Sequence, residues 1–357
     1  MASSSDKTPS LPVTKIMILG ATGNVGSAIL TAFQSHNTHN PHHPFHITVL
    51  TRTTSHAKTA AQLPPSSNLQ VLAIDTYTNT PTLTTLLQQH NIEVLISTIA
   101  TFSTNDQEHL ISACVASGTV TRFFPSEFGL DTSDRGKVET YLPFAILKQE
   151  NVDLLRRASL STNGKLTWTA IITGAFFDWA LTIPGLFAMH IPDMTAGVID
   201  GGDIKYEATN MAQIGRAVVA CLTSQSRFDE TANQYVNINS FTTTQNEVIA
   251  LIEKYTGRSM TRSPISAKEL SESALATIER DGGIEACRAY QPTPEMPYVP
   301  GSTEGIMACL FGGGALGGMN QYSMRENGLW NDRLGLPRED IEETVKSAVE
   351  RLGMLKA

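Results

Sequence analysis

The stretch Lys15-Ile16-Met17-Ile18-Leu19-Gly20-Ala21-Thr22-Gly23-Asn24-Val25-Gly26 decides the fold. Residues 15–19 form a short apolar run and read as a buried strand. Residues 25–33 carry the apolar spacing of a helix. Between them lies GxxGxxG, in which each glycine has its own task. Gly20 permits a tight turn, Gly23 lets backbone approach a pyrophosphate, and Gly26 lets the helix lie close to the sheet. The unpaired N–H groups and the dipole at the helix start then hold the anion. The loop and first turn, with Thr22, Asn24 and Val25, are therefore assigned to a dinucleotide.

Outward from this point, strand and helix alternate. Residues 46–50, 69–74, 94–98 and 122–125 read as further strands, and residues 82–90 and 104–117 as helices. Continuous apolar strands separated by helices imply a parallel sheet covered on both faces. The second half is more mixed: helices over 143–159, 211–222, 266–280 and 338–352, strands over 166–173 and 235–238, and a glycine loop over 312–318. We expect a Rossmann-type, doubly wound α/β fold with a smaller C-terminal α/β region. Residues 1–13 read as a disordered tail and 14–175 as the nucleotide-binding domain. Residues 176–357 read as mainly substrate-binding and partly interleaved with the sheet.

Composition narrows the function. At 357 residues with 41% hydrophobic side chains, the chain can bury a large core without staples. A net charge of −8 with no basic run argues against nucleic acid. The four cysteines are scattered, as in a reducing compartment. No secretory or membrane-spanning run is legible, so a cytoplasmic protein acting on a small molecule, as monomer or homodimer, is expected. His36, His39, His42, His43 and His46 read as an exposed connection, without the cysteines or carboxylates of a metal site. No Gly-x-Ser-x-Gly elbow is present.

The second strand ends at Arg52, with Lys58 nearby, where NAD-binding chains place an acid for the ribose hydroxyl. A cation there suits a 2′-phosphate, so NADPH is favoured. On the helix from Pro143, an apolar arc contains Phe144, Leu147, Val152, Leu155 and also Lys148. A lysine in such a stripe either snorkels to a rim or serves as an acid–base group whose pKa burial has lowered. The short-chain dehydrogenase pair Tyr-x-x-x-Lys is absent, because Phe144 holds the tyrosine's position. Tyr141, just before the helix, is the nearest alternative facing the cleft.

GATGNVG at 20–26, TRFFPSEFGLD at 121–131 and Lys148 on a long helix together resemble the NmrA-like, isoflavone-reductase-like branch of atypical short-chain dehydrogenases. TWTAIITGAFFDWAL at 167–181 and GGDIKYEATNMAQI at 201–214 are similar to its fungal members. The resemblance spans about residues 14–260. It implies a Rossmann domain, NADPH and Lys148 as catalytic lysine. The family often has Phe-x-x-Lys, whereas this chain has Phe144-x-x-x-Lys148. It also implies that Thr98, Ala100 and Phe124 flank the cofactor, with Lys148 beside it, and that Phe176, Phe177 and Trp179 line a substrate pocket. The expected activity is NADPH-dependent reduction of a bulky aromatic secondary metabolite. Non-redox cyclisation, dehydration or rearrangement on the same fold, and cofactor sensing without turnover, stay open.

Overall fold

A computed structural model describes residues 11–63, 65–99, 104–290, 298–326 and 328–356. The first half alternates β1 (Lys15–Leu19), α1 (Asn24–His39), β2 (His46–Arg52), α2 (Thr53–Gln62), β3 (Leu69–Ile74), α3 (Thr80–Gln89), β4 (Val94–Ser97), α4 (Thr104–Ser117) and β5 (Arg122–Phe124). Then follow α5 (Arg135–Tyr141), α6 (Ile146–Ser161) and β6 (Thr167–Ile172). The second half contains β7 (Ala175–Phe176), α7 (Phe177–Ala180), β8 (Met189–His190), β9 (Thr195–Ile199), β10 (Tyr206–Thr209) and α8 (Met211–Ala220). It continues with α9 (Gln225–Glu230), β11 (Gln234–Asn237), β12 (Phe241–Thr243), α10 (Gln245–Thr256), β13 (Thr261–Ile265), α11 (Ala267–Arg280), α12 (Gly283–Ala289) and α13 (Ser302–Phe311).

Seven strands pair in the order β11-β6-β5-β4-β1-β2-β3, all parallel. Ile18 lies opposite Val49 on one side and Ile96 on the other. This is the doubly wound Rossmann-type sheet expected from the alternation. Strand order reverses between β1 and β4, and ligands of such sheets bind at that crevice. On one face Ile29 and Phe33 of α1 pack with Ile214 and Val218 of α8. On the other, Leu83, Leu110 and Val152 come from α3, α4 and α6. Two three-stranded sheets, β12-β10-β7 and β13-β9-β8, stand outside the main one. They share a core with α10, α11 and α13.

The structure departs from the sequence reading at several points. Leu11 and Val13 pack against the core, so the chain is held from before the expected tail boundary. Helix α1 runs to His39, which puts His36 and His39 on a helix rather than in a loop. Part of the glycine stretch 312–318 forms a helical turn, Gly314–Gly317. The C-terminal region, expected to interleave partly with the sheet, sends residues 211–237 back to it through α8 and β11.

Candidate active site

The glycine loop closes β1 over the switch point. Gly20 has φ +79°, and a Cβ on it would lie 2.6 Å from Thr98 Oγ1. A Cβ on Gly26 would run into the Gly20 carbonyl oxygen and lie 2.7 Å from the same hydroxyl. Gly23 differs: an added Cβ would touch only the Gly20 carbonyl oxygen, at 3.3 Å, and otherwise meet open space. Gly23 also caps α1 with no side-chain acceptor, so the first-turn N–H groups remain free for an anion. Thr22 and Asn24 are exposed and Val25 is half-buried. This uncapped, unfilled helix start fits a pyrophosphate.

Thr98 donates through Oγ1 to the Leu19 carbonyl, 2.7 Å. It therefore wedges the glycine loop, and its hydroxyl is already engaged. Ala100 lies outside the described residues. Phe124, expected beside the cofactor, has its ring fully buried within the core. Arg52 ends β2 with its guanidinium about half exposed. It lies 5.0 Å above the Tyr77 ring and 3.0 Å from Asp106 of α4. The strand end thus does carry an acid, brought from 54 residues away. Lys58 is exposed on α2.

A separate cavity of about 260 Å³ opens between the sheet's C-terminal edge and the C-terminal layer. Its walls include Phe128, Phe144, Phe176, Trp179, Phe187 and Met307. Lys148 is the only charged side chain among the described residues that line it. Phe176 and Trp179 meet edge to face, 6.3 Å between ring centres. Phe177 corrects an expectation. It is fully buried at the start of α7 and packs on Phe187 and Phe241, away from the cavity that Phe176 and Trp179 line. Tyr141 is half-buried against the core and is not among the lining residues, while Leu142 and Phe144 are.

Lys148 sits in the first turn of α6. Its Nζ donates to the main-chain carbonyl of Glu127, in the loop that follows β5. Burial pushes its pKa below the ordinary lysine value, and the nearby Glu127 carboxylate opposes that shift. Glu127 is 1% exposed, and burial raises its carboxyl pKa while Lys148 and the Thr132 hydroxyl lower it. Gly129 approaches closely enough that an added Cβ would lie 3.5 Å from Lys148 Nζ. Its carbonyl accepts from the N–H groups of Thr173 and Gly174, which ties this loop to the end of β6.

Sequence reasoning missed Glu127, Asp106, Phe187 and the α13 side chains Ile306, Met307 and Leu310. Glu127 was visible inside PSEFG, and residues 306–311 are an apolar run. Asp106 and Phe187 carry no local signal, since tertiary packing alone brings them in.

A sequence model of the NmrA-like family matches residues 12–285. The chain is 31% identical over 267 residues to oxidoreductase aprR of Aspergillus flavus, covering 74% of this chain and 82% of that protein. It is 31% identical over 263 residues to oxidoreductase poxI of Penicillium oxalicum, covering 74% and 76%. In fold it is similar to the NADPH complex of leucoanthocyanidin reductase from Vitis vinifera. The TM-score is 0.66 at 18% identity, over 94% of this chain and 99% of that one.

Proposed function

This chain belongs to the NmrA-like family, and on that premise we propose that it is an NADPH-dependent reductase of a bulky, largely aromatic secondary metabolite, with Lys148 handling the proton. One observation carries the reading: a single lysine among the described lining residues of a largely apolar, aromatic-walled cavity. The oxidoreductase names of the two fungal relatives and the NADPH of the grape structure support it.

The N–H groups at the start of α1, with Gly20, Thr22, Gly23, Asn24, Val25 and Gly26, would hold the pyrophosphate of NADPH. Arg52 and Lys58 would meet its 2′-phosphate. When bound, NADPH supplies a hydride. The chain's own part is positional and electrostatic. Phe144, Phe176 and Trp179 offer flat apolar surfaces to an aromatic substrate. The apolar walls exclude water, which strengthens any interaction with the lysine. Lys148 Nζ, held by the Glu127 carbonyl, donates to the substrate oxygen or carbon on which negative charge develops.

The test supplies NADPH deuterated at its transferable position with a panel of aromatic ketones and conjugated enones. Deuterium should appear in the product. Lys148→Met should lower kcat by about 10²–10⁴-fold, the usual worth of a general acid–base group, and leave NADPH affinity unchanged. Product formed without label and without NADPH consumption would mean non-redox chemistry. NADPH binding without turnover of any member of the panel, and equal in Lys148→Met, would leave a cofactor sensor.

A further inference from the structure

We propose that α12 is a hinged flap that backs one wall of the cavity and holds its rim, latched by Arg288 and Glu150 to the helix that carries Lys148. The inference rests on the reading of this cavity as the substrate site.

Helix α12 lies between two helices that are locked to each other. A Cβ on Gly301, at the start of α13, would lie 2.6 Å from the Ala274 carbonyl oxygen of α11. The start of α12 is built differently. Gly282 and Gly283 both have positive φ, +106° and +67°, and no side chain caps the helix there. A Cβ on Gly283 would meet only Glu279 Oε2, at 3.6 Å. Two successive left-handed glycines, one of them in open space, make a joint that can turn. Inward, α12 packs beside Pro143–Ala145, of which Phe144 and Ala145 line the cavity. Tyr290, directly after α12, donates through its hydroxyl to the Tyr298 carbonyl, 2.7 Å. Tyr298 lines the cavity while 45% exposed, which places it at the rim. The backing of one wall and the rim thus both hang on α12.

A bidentate contact fixes this flap to α6. Arg288 donates through Nη1 and Nη2 to the two carboxylate oxygens of Glu150, at 2.7 and 2.5 Å. Glu150 stands two residues after Lys148, more than half a turn around the helix. Helix α6 therefore presents the lysine to the cavity and the acid to α12. Both side chains of the pair are about one-third exposed, so water competes for them and the contact is reversible. Arg288 also reaches Glu285 of its own helix, Nε to Oε1 at 3.3 Å. A released guanidinium keeps that acid beside it, which lowers the cost of opening. Cys287, buried in the core beneath α12, opposes opening. With the latch released, the Cys287 thiol surfaces, the wall at Phe144 loses its backing and the rim is free to move.

The experiment reads that thiol in the full chain with NADPH present. All four cysteines are buried, and Cys287 is the one on α12. Alkylation by iodoacetamide under native conditions, located by peptide mass spectrometry, follows the opening of each site. Arg288→Gln removes the charge, so Cys287 should react about fivefold faster, the upper worth of a part-exposed ion pair. Cys114, Cys221 and Cys309 should keep their rates. Glu150→Gln should act alike, and the double variant should add nothing further. Sodium chloride should speed Cys287 in the wild type but not in Arg288→Gln. An unchanged Cys287 overturns the proposal, and so does equal acceleration of all four, which is a general loss of stability. The salt arm decides the matter if the variants do not fold. Access is read by stopped flow with 1-anilinonaphthalene-8-sulfonate, taking the part of its fluorescence that Lys148→Met removes. An opened gate speeds entry and exit together, so both rates should rise in Arg288→Gln while Kd changes little. Unchanged rates overturn the gate. Selective opening and faster dye exchange, with no turnover of any aromatic ketone or enone, would sink the proposed function and leave the flap standing. Labelled product with neither change would do the reverse.

Discussion

A methyl group added at Gly26 would drive into the carbonyl oxygen of Gly20 and crowd Thr98 Oγ1. Both are held: the hydroxyl is bonded to Leu19, and the Gly20 carbonyl accepts from Gly23 N at 2.9 Å. Nothing soft can give way, so Gly26→Ala should cost about 1–3 kcal/mol, the range for overpacking a tight site. Gly23 has extended backbone, φ −78° and ψ 173°, which any residue adopts, and open space beyond it. Gly23→Val should therefore unfold at nearly the wild-type temperature yet bind NADPH weakly, since its side chain occupies the anion's approach. Thermal denaturation and calorimetry on both variants check this. Normal NADPH affinity in Gly23→Val would remove the phosphate-cradle role, and an unperturbed melting temperature in Gly26→Ala would remove the packing role. The three glycines were legible as a motif, and their division of labour follows from β1, α1 and Thr98 converging. Phe124 and Phe177 both turn their rings into the core, which the sequence does not show because it gives a residue's place on an element but not which side its ring takes.

Elements meet in ways that set chemistry as well as shape. The first turn of α4 carries Asp106 to the end of β2, where it holds the Arg52 guanidinium over Tyr77. An acid near a helix start is favourable for the helix, and the exposed pair is worth at most about 1 kcal/mol. It is nevertheless placed against a 2′-phosphate, because guanidinium and carboxylate cannot both face that phosphate without repulsion. Asp106→Asn should tighten NADPH, by up to about fivefold, with NADH little changed. Arg52→Ala should weaken NADPH by roughly tenfold, the lower end for a charge-assisted hydrogen bond at a half-exposed site. Calorimetry with both nucleotides reads these out, and weaker NADPH binding in Asp106→Asn would show that the carboxylate orients Arg52 rather than competing for it. Lys15–Leu19, where burial is nearly continuous, and Leu69–Ile74, an edge strand that is mostly half-buried or exposed, both match residue for residue. Helix α2 went unread because TTSHAKTAAQ buries only Thr59 and so leaves no apolar stripe. Strand β13 went unread because its residues are mostly exposed and include Pro264, and it is held by pairing with β9, some 66 residues earlier by register.

At the scale of the molecule, the nucleotide-binding half is not closed at the end of β6. Strand β11 pairs with β6 along Gln234–Asn237. Helix α8 lies against α1 so tightly that a Cβ on Gly215 would lie 2.8 Å from Ala32 Cβ. Arg122, fully buried at the start of β5, donates to Thr167 and Thr169 of its own half. It also donates to the Phe228 carbonyl and the Thr231 hydroxyl beyond it, and stacks 4.1 Å from the Phe228 ring. The C-terminal region is expected to interleave partly with the sheet, but nothing in the local pattern says that residues 211–237 are the ones that cross back. That return is a long-range pairing, which a reading by periodicity cannot see. A fragment of residues 1–175 would expose Ile29, Leu30 and Phe33 and leave Arg122 without its partners at Phe228 and Thr231. Each large apolar side chain uncovered costs about 1.5–3 kcal/mol, and an orphaned buried donor about 1–3 kcal/mol more. Their sum is comparable with the whole stability of a typical domain, about 5–15 kcal/mol. The fragment should therefore show no cooperative thermal transition and no dispersed amide spectrum, whereas the full chain should show both. A 1–175 fragment that melts sharply and binds NADPH would mean that the sheet is complete without its returning strand.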